Sequence, residues 1–269
     1  LTLSVLTLNG FFLGTANALA PLLVMVVANV VNLGADYALI FGHWGAPKLG
    51  VEGAAWASVL GNASALLVAV LLLIFRYRSH VRAWPERIWD LRPMRRLLQT
   101  NALLFGRTFC LQFAQFLMLA MVSRMGDAQL AANAVVLQVW GLASFAVDGF
   151  AHAAETLVGN GLGARRFVEA RQMARRIILW GMGLGLGFGL LYFFALQPIA
   201  ALFTRHSEVV DKVAALYLLI ALIQPLNAVV FVLDGIFIGA NDMGYLFKAM
   251  AVAAFAVFAP AVLNLVYWL

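Results

Sequence analysis

Four carboxylates sit inside long apolar stretches of this chain: Asp36, Asp148, Glu155 and Asp234. An acid at membrane depth costs about 2.5 to 3.5 kcal/mol on insertion scales, so each is a candidate for function. Asn29, Asn32 and Asp36 follow an i, i+3, i+7 spacing, which places them on one face of a helix. A carboxylate beside amides can take up and release a proton, or offer oxygens to a hard cation such as Na⁺. The plainer role of such asparagines is hydrogen bonding between helices, and Asn29 reads as packing. Asp148 and Glu155 are seven apart and share a face, with His152 close to it. Two carboxylates and an imidazole on one stripe form a candidate proton relay. The alternative is that His152 and Glu155 simply pair with each other. Asp234 precedes Gly235, with Gly239 following, a pattern that also serves close helix approach alone. Arg107 reads as a snorkelling or pairing residue rather than a substrate contact.

A weaker set is Met118, Met121, Phe113 and Phe116, which could line an adaptable apolar cavity or face lipid and neighbouring helices. Pro21, Pro198, Pro225 and Pro260 each remove a backbone donor and permit bends. No HExxH, GxSxG or Gly-rich phosphate loop occurs, so the chain does not read as an enzyme. The single cysteine, Cys110, excludes an intrachain disulfide and a multi-cysteine site; no metal site is expected.

These residues must be positioned by elements that live in lipid. The 269 residues are 64% hydrophobic and only 11% charged, with a mean hydropathy of +0.93. A soluble domain needs more charge to cover its surface. Polar punctuation marks apolar spans near 1–16, 20–42, 50–76, 94–123, 128–162, 168–196, 209–240 and 244–269. Runs of about 20 apolar residues span a bilayer as helices, and an open sheet edge cannot exist in hydrocarbon.

The formal charge of +6 is concentrated in short loops and does not indicate nucleic acid. One side carries Arg76, Arg78, Arg82, Arg87, Arg92, Arg95, Arg96, Arg165, Arg166, Arg171, Arg175, Arg176 and Lys248. The other carries Lys48, Arg124, Arg205 and Lys212, so the first side is cytoplasmic. The connection at 77–93, with Trp84, Pro85 and Trp89, is the expected boundary between two halves.

An internal repeat supports those halves. Asn9-Gly10-Phe11-Phe12-Leu13-Gly14 matches Asp234-Gly235-Ile236-Phe237-Ile238-Gly239 at an offset of 225 residues. Asn17 and Asn241 follow the two copies. Repeats running in the same direction imply halves related by an axis along the membrane normal. On that offset the first half would begin roughly 130 residues before Leu1, room for about three more spans. One further span would follow Leu269, giving six plus six.

The sequence resembles the multidrug and toxic compound extrusion (MATE) family, in its DinF branch. The carrying stretches are Leu13-Gly14 with Ala20-Pro21-Leu22-Leu23, Asn29-Val30-Val31-Asn32-Leu33-Gly34-Ala35-Asp36 and Gly50-Val51-Glu52-Gly53-Ala54-Ala55-Trp56-Ala57. The second half adds Ala131-Ala132-Asn133-Ala134, Asp148-Gly149-Phe150-Ala151-His152-Ala153-Ala154-Glu155 and Leu233-Asp234-Gly235-Ile236-Phe237-Ile238-Gly239-Ala240. The resemblance implies an all-α, two-lobe bundle of which this chain holds about eight of twelve transmembrane helices. Residues 1–76 would be helices 4–6 of the N-lobe, 77–93 the cytoplasmic inter-lobe loop, and 94–269 helices 7–11 of the C-lobe. It implies export of amphipathic or cationic compounds in antiport with H⁺ or Na⁺, by alternating access, with no other cofactor. A monomer in the bacterial inner membrane, with the bilayer and small substrates as its partners, is the expected state. Asn32 and Asp36 match an Asn and Asp four residues apart on the fifth helix, and Asn9 matches a polar member on the helix before. A first-helix Asp of the family would fall outside this chain. Where sodium-coupled NorM members carry an acid on the tenth helix this chain has Asn227, which tilts the expectation toward protons. A lipid-linked-precursor flippase of the same superfamily and a non-transporting membrane scaffold are the rival readings.

Overall fold

The computed structural model describes residues 1–15, 17–78 and 91–268, with backbone alone at 91–93 and 265–268. The expected boundary loop with Arg82, Trp84, Pro85, Arg87 and Trp89 lies outside the described residues. The chain divides into two compact units, Leu1–Trp89 and Asp90–Leu269. Every described element is helical, and seven helices are long and apolar enough to cross a membrane.

The first unit contains α1 (Thr2–Gly14), α2 (Leu19–Phe41) and α3 (Val51–Arg76). α1 is apolar but shorter than a span. Pro21 falls in the first turn of α2, where no intrahelical donor is needed, so it starts this helix instead of bending it. α2 ends at Gly42, whose φ of 77° is the left-handed cap that glycine adopts without strain. Small residues on α3 bring α2 close: a Cβ on Gly53 would strike the Leu39 carbonyl, and one on Gly61 would meet the Ala28 carbonyl and Asn32. Val5, Phe12, Val24, Ala65, Ala69 and Tyr77 form the core here.

The second unit holds α4 (Leu91–Val122), α5 (Asp127–Gly163), α6 (Phe167–Phe203), α7 (Ser207–Ala215) and α8 (Tyr217–Gly239). It closes with α9 (Met243–Ala251), a π-helical stretch (Val252–Phe258) and α10 (Ala259–Trp268). α5 and α6 have 37 residues each, about 55 Å at 1.5 Å per residue, so both extend well past a hydrocarbon core of about 30 Å. α6 runs through Pro198 to Phe203, seven residues beyond the expected end of its span.

The span expected at 209–240 is two helices, broken at Leu216. Glu208, Asp211 and Lys212 keep the first piece amphipathic; Lys212 pairs with Glu208 at 3.5 Å, while Val209 and Val213 face the core. The π-helical stretch lies directly before Pro260, where the missing N–H leaves a carbonyl one turn back without its donor.

Glycines set the packing of α6 on α8. Cβ atoms at Gly181, Gly185 and Gly189 would collide with Val232, Ala228 and the Ala221 carbonyl respectively. Pro225 cannot donate to that same Ala221 carbonyl, four residues back, so the oxygen is free to receive the close approach of Gly189. Across the core, the Tyr192 hydroxyl donates to the Val139 carbonyl at 2.6 Å.

Candidate functional site

In the first unit α2 and α3 flank an open groove of about 240 Å³ lined by Met25, Ala28, Asn29, Asn32, Ser58, Gly61 and Asn62. The absent side chain of Gly61 lets the helices approach here, so two asparagines of α2 meet Asn62 and Ser58 of α3. The Asn29 amide donates to the Met25 carbonyl and the Asn62 amide to the Ser58 carbonyl. Asn62 accepts from the Thr2 hydroxyl at 3.3 Å.

Asn32 is partly buried in this wall. Asp36 stands one turn further along α2, partly buried, outside the groove lining and without an ion pair among the described residues. Asn9, on α1, is partly buried and its side-chain oxygen is sealed from solvent, with no hydrogen-bond partner among the described residues. Ser58 and Asn62 were not anticipated. The polar run Gly61-Asn62-Ala63-Ser64 inside an apolar span was the available signal.

In the second unit the charges converge through glycine contacts between α5 and α8. A Cβ on Gly235 would overlap the Ala151 carbonyl, one on Gly239 the Glu155 carbonyl, and one on Gly159 the Gly239 carbonyl. This seam places Asp234 near Asp148 on the facing helix, close enough for their charges to interact. Asp234 is also ion-paired to Arg107 of α4 at 2.5 Å, with 17% of the arginine and 25% of the aspartate side chain exposed. Arg107 is therefore a pairing residue. Its Nε is buried without a partner. His152 faces Glu155 at 3.5 Å, but 71% of the imidazole and 42% of the carboxylate are exposed. These two pair at the surface of the unit, and Asp148 lies within charge interaction of both His152 and Asp234, so it stands between that pair and the Arg107–Asp234 pair.

Phe113 packs on Phe255 with ring centres 4.9 Å apart, Phe116 is 69% exposed, and Met118 and Met121 are partly buried. None of the four lines the groove between α2 and α3. Among the described residues no three His, Cys, Asp or Glu side chains are grouped as a metal site.

The repeat is visible in backbone bonds. At the end of α1 the Thr15 amide donates to the Phe11 carbonyl and the Asn17 amide to the Phe12 carbonyl. At the end of α8 the Ala240 amide donates to Ile236 and the Asp242 amide to Phe237, the same pairs displaced by 225 residues. Side chains follow: Asn17 accepts from the Ala20 amide, and Asp242 from the Tyr245 amide. The partner of Asn17 is therefore Asp242, and not Asn241 as the sequence suggested.

Helices of this length and apolarity define a polytopic membrane protein. The MatE family model matches residues 104–266, and the chain belongs to that family, whose members are transporters and not enzymes. It is 32% identical over 253 residues to Protein DETOXIFICATION 43 of Arabidopsis thaliana, covering 94% of this chain and 46% of the relative. To the DNA damage-inducible protein F of Escherichia coli it is 32% identical, covering 98% and 57% respectively. The Probable multidrug resistance protein NorM of Bacillus cereus is 25% identical, covering 88% of this chain and 52% of the relative. A crystal structure of a variant of the Vibrio cholerae MATE transporter VcmN matches the fold with a TM-score of 0.80 at 20% identity, over 95% of this chain and 57% of that one. The chain thus spans about half the length of the relatives it matches.

Proposed function

We propose that the protein takes part in secondary-active efflux of amphipathic, cationic compounds in antiport with H⁺ or Na⁺, by alternating access. Membership of the MatE family and the likeness to relatives named as multidrug resistance proteins support the class of substrate. The observation that carries the coupling is the contrast between two acids. Asp234 is ion-paired with Arg107, whereas Asp36 has no ion-pair partner among the described residues and sits one turn from the amide-lined groove. Asp36, with Asn32 one turn before it on α2, is assigned the exchangeable ion, and Asn9 on α1 is a further candidate. Asp148, Glu155 and Asp234 form the second candidate set.

A carboxylate that is free to change charge can bias two packings of its lobe, by an amount set by its differential affinity for the ion in the two states. One unit of pKa difference corresponds to about 1.4 kcal/mol, a tenfold bias. The Arg107–Asp234 ion pair joins α4 to α8 and is suited to holding these helices together.

Dye efflux by the intact protein in inverted membrane vesicles tests this, with proton and sodium gradients imposed separately. Wild-type transport on one gradient, abolished in Asp36→Asn, is the expected result. Undiminished gradient-driven export by Asp36→Asn would overturn the role of Asp36. Absence of transport by wild type under either gradient would overturn the antiport reading.

A further inference from the structure

We infer that the last turn of α2 and the connection to α3 are seated in the phospholipid headgroup layer, on the side opposite the arginine-rich loops, and anchor the first unit there. The rings of Tyr37, Phe41, His43 and Trp44 meet at this point. Tyr37 and His43 stack with centres 4.3 Å apart, and Trp44 stands edge-on to Tyr37 at 5.4 Å. Phe41 lies 6.3 Å from both Tyr37 and His43. The cluster is not turned into the unit: Trp44 is 78% exposed and Phe41 60%. It also continues an apolar stripe. Val30, Leu33, Tyr37 and Phe41 recur at helical spacing on one face of α2, and all are exposed.

The backbone holds the rings in that position. Gly42, Trp44 and Gly45 are all left-handed, with φ of 77°, 57° and 79°. Glycine takes that region freely, whereas a bulky tryptophan there is strained, and an outlier of this kind points to a use for the side chain it presents. The Leu49 amide closes the loop on the Leu39 carbonyl at 2.8 Å, and the His43 amide returns to Ala38 at 3.1 Å. Lys48 packs over Gly42, where a Cβ would stand 3.0 Å from that of the lysine. The segment is therefore closed on itself, with Trp44 directed outward.

Position selects lipid as the occupant. α2 has 23 residues, about 34 Å of helix against a hydrocarbon core of about 30 Å, so its end at Phe41 reaches the boundary between acyl chains and headgroups. Tryptophan and tyrosine suit that boundary, since the ring enters the chains while the N–H or O–H meets the headgroups. Lys48 is the one Lys, Arg, Asp or Glu of residues 42–50, and its charge complements lipid phosphate. The same anchor fixes Asp36, next to Tyr37, about 7 Å inside the end of α2 at 1.5 Å per residue.

The test places the intact protein in nanodiscs of phosphatidylcholine that carries a photoactivatable diazirine either beside the headgroup or at the chain end. Adducts are located residue by residue with mass spectrometry. The headgroup probe should mark Tyr37, Phe41 and Trp44, and the chain-end probe should mark Val30 and Leu33 instead. Trp44→Ser should remove most of the headgroup labelling of residues 41–48, while Trp44→Phe should keep it; both changes fall at an exposed side chain, so the fold survives them. Stronger marking of the three rings by the chain-end probe would put them in the hydrocarbon and overturn the interfacial seat. Rings left unmarked while other apolar spans carry adducts would put the loop in water or under a second copy of the chain, which overturns it equally. Undiminished headgroup labelling in Trp44→Ser would remove Trp44 as the anchor.

Discussion

Removing the Arg107 charge should destabilise the second unit more than any surface substitution, and removing both members of its ion pair should cost less than the two separate losses. Arg107→Gln strands a carboxylate that is only 25% exposed. Loss of one partner from a fully buried pair costs about 3 to 5 kcal/mol, and the partial access here brings the expectation to about 2 to 3 kcal/mol. Asp234→Asn strands the guanidinium, whose Nε is already buried without a partner, and should cost a similar amount. In Arg107→Gln/Asp234→Asn two neutral amides face each other, so a coupling energy of at least about 1.5 kcal/mol is expected from the double-mutant cycle. Cys110 provides the readout: it is the one cysteine of the chain, 2% exposed, less than a turn along α4 from Arg107. A thiol-reactive fluorophore followed on heating should report each single variant melting about 4 to 12 °C below wild type, at 2 to 4 °C per kcal/mol. Strict additivity in the cycle would refute the view that this pair ties α4 to α8.

Within α6, Gly185→Ala should destabilise by about 1 to 3 kcal/mol, because the new Cβ would lie 2.8 Å from the Gln224 carbonyl oxygen. Gly183→Ala, which meets nothing within 4 Å, should be neutral or stabilising by up to about 1 kcal/mol through helix propensity; paired melting curves would check both. Gly235→Ala should be the most disruptive of the glycine changes, since its Cβ would occupy the Ala151 carbonyl, and poor folding yield would report it. His152→Asn should shift stability by no more than about 0.5 kcal/mol, as expected of an exposed pair, measured by the same melting assay. Asn17→Ala and Asp242→Ala should each cost about 1 kcal/mol as lost helix caps, and a cost at only one of them would break their equivalence.

The spans were legible because apolar length is a property of the chain alone, and the expected limits of α2, α3, α4 and α5 fall within a few residues of those found. The break at Leu216 was missed because an apolar count averages over Glu208, Asp211 and Lys212, while the amphipathic face of Val209 and Val213 appears only at helical spacing. The acids were legible for the same reason, as charges where charge is costly. Their partners were not. Arg107 and Asp234 are joined only because Gly235 and Gly239 bring α8 against α5 while α4 supplies the arginine, and no spacing along the sequence encodes that meeting. Helical spacing puts Asn29 and Asn32 on one wall of the groove, but its counterpart Asn62 belongs to α3, and Gly61 lets the two helices approach there.

The repeated turn keeps one backbone geometry in two different tertiary settings. Around Gly235 and Gly239 the end of α8 is pressed against Ala151 and Glu155, whereas Gly10 and Gly14 on α1 have nothing within 4 Å of where a Cβ would stand. Despite these opposite surroundings, both ends form the same backbone bonds at an offset of 225 residues, and both place an Asn or Asp side chain on the amide three residues on. The turn is therefore not created by the glycine seam, because the α1 copy forms it without one, beside Tyr77, whose hydroxyl accepts from the Asn17 side-chain amide at 2.7 Å. Its causes are shared by both copies: a helix ending in an apolar run, and then an Asn or Asp whose short side chain bonds the backbone ahead of it. What differs between the units is the use made of the glycine face, closed in one and open in the other. A duplicated element can thus keep its backbone geometry while its two copies serve different contacts, which lets Asp234 become a fixed ion-pair member while its counterpart in the repeat, Asn9, keeps an oxygen with no partner among the described residues.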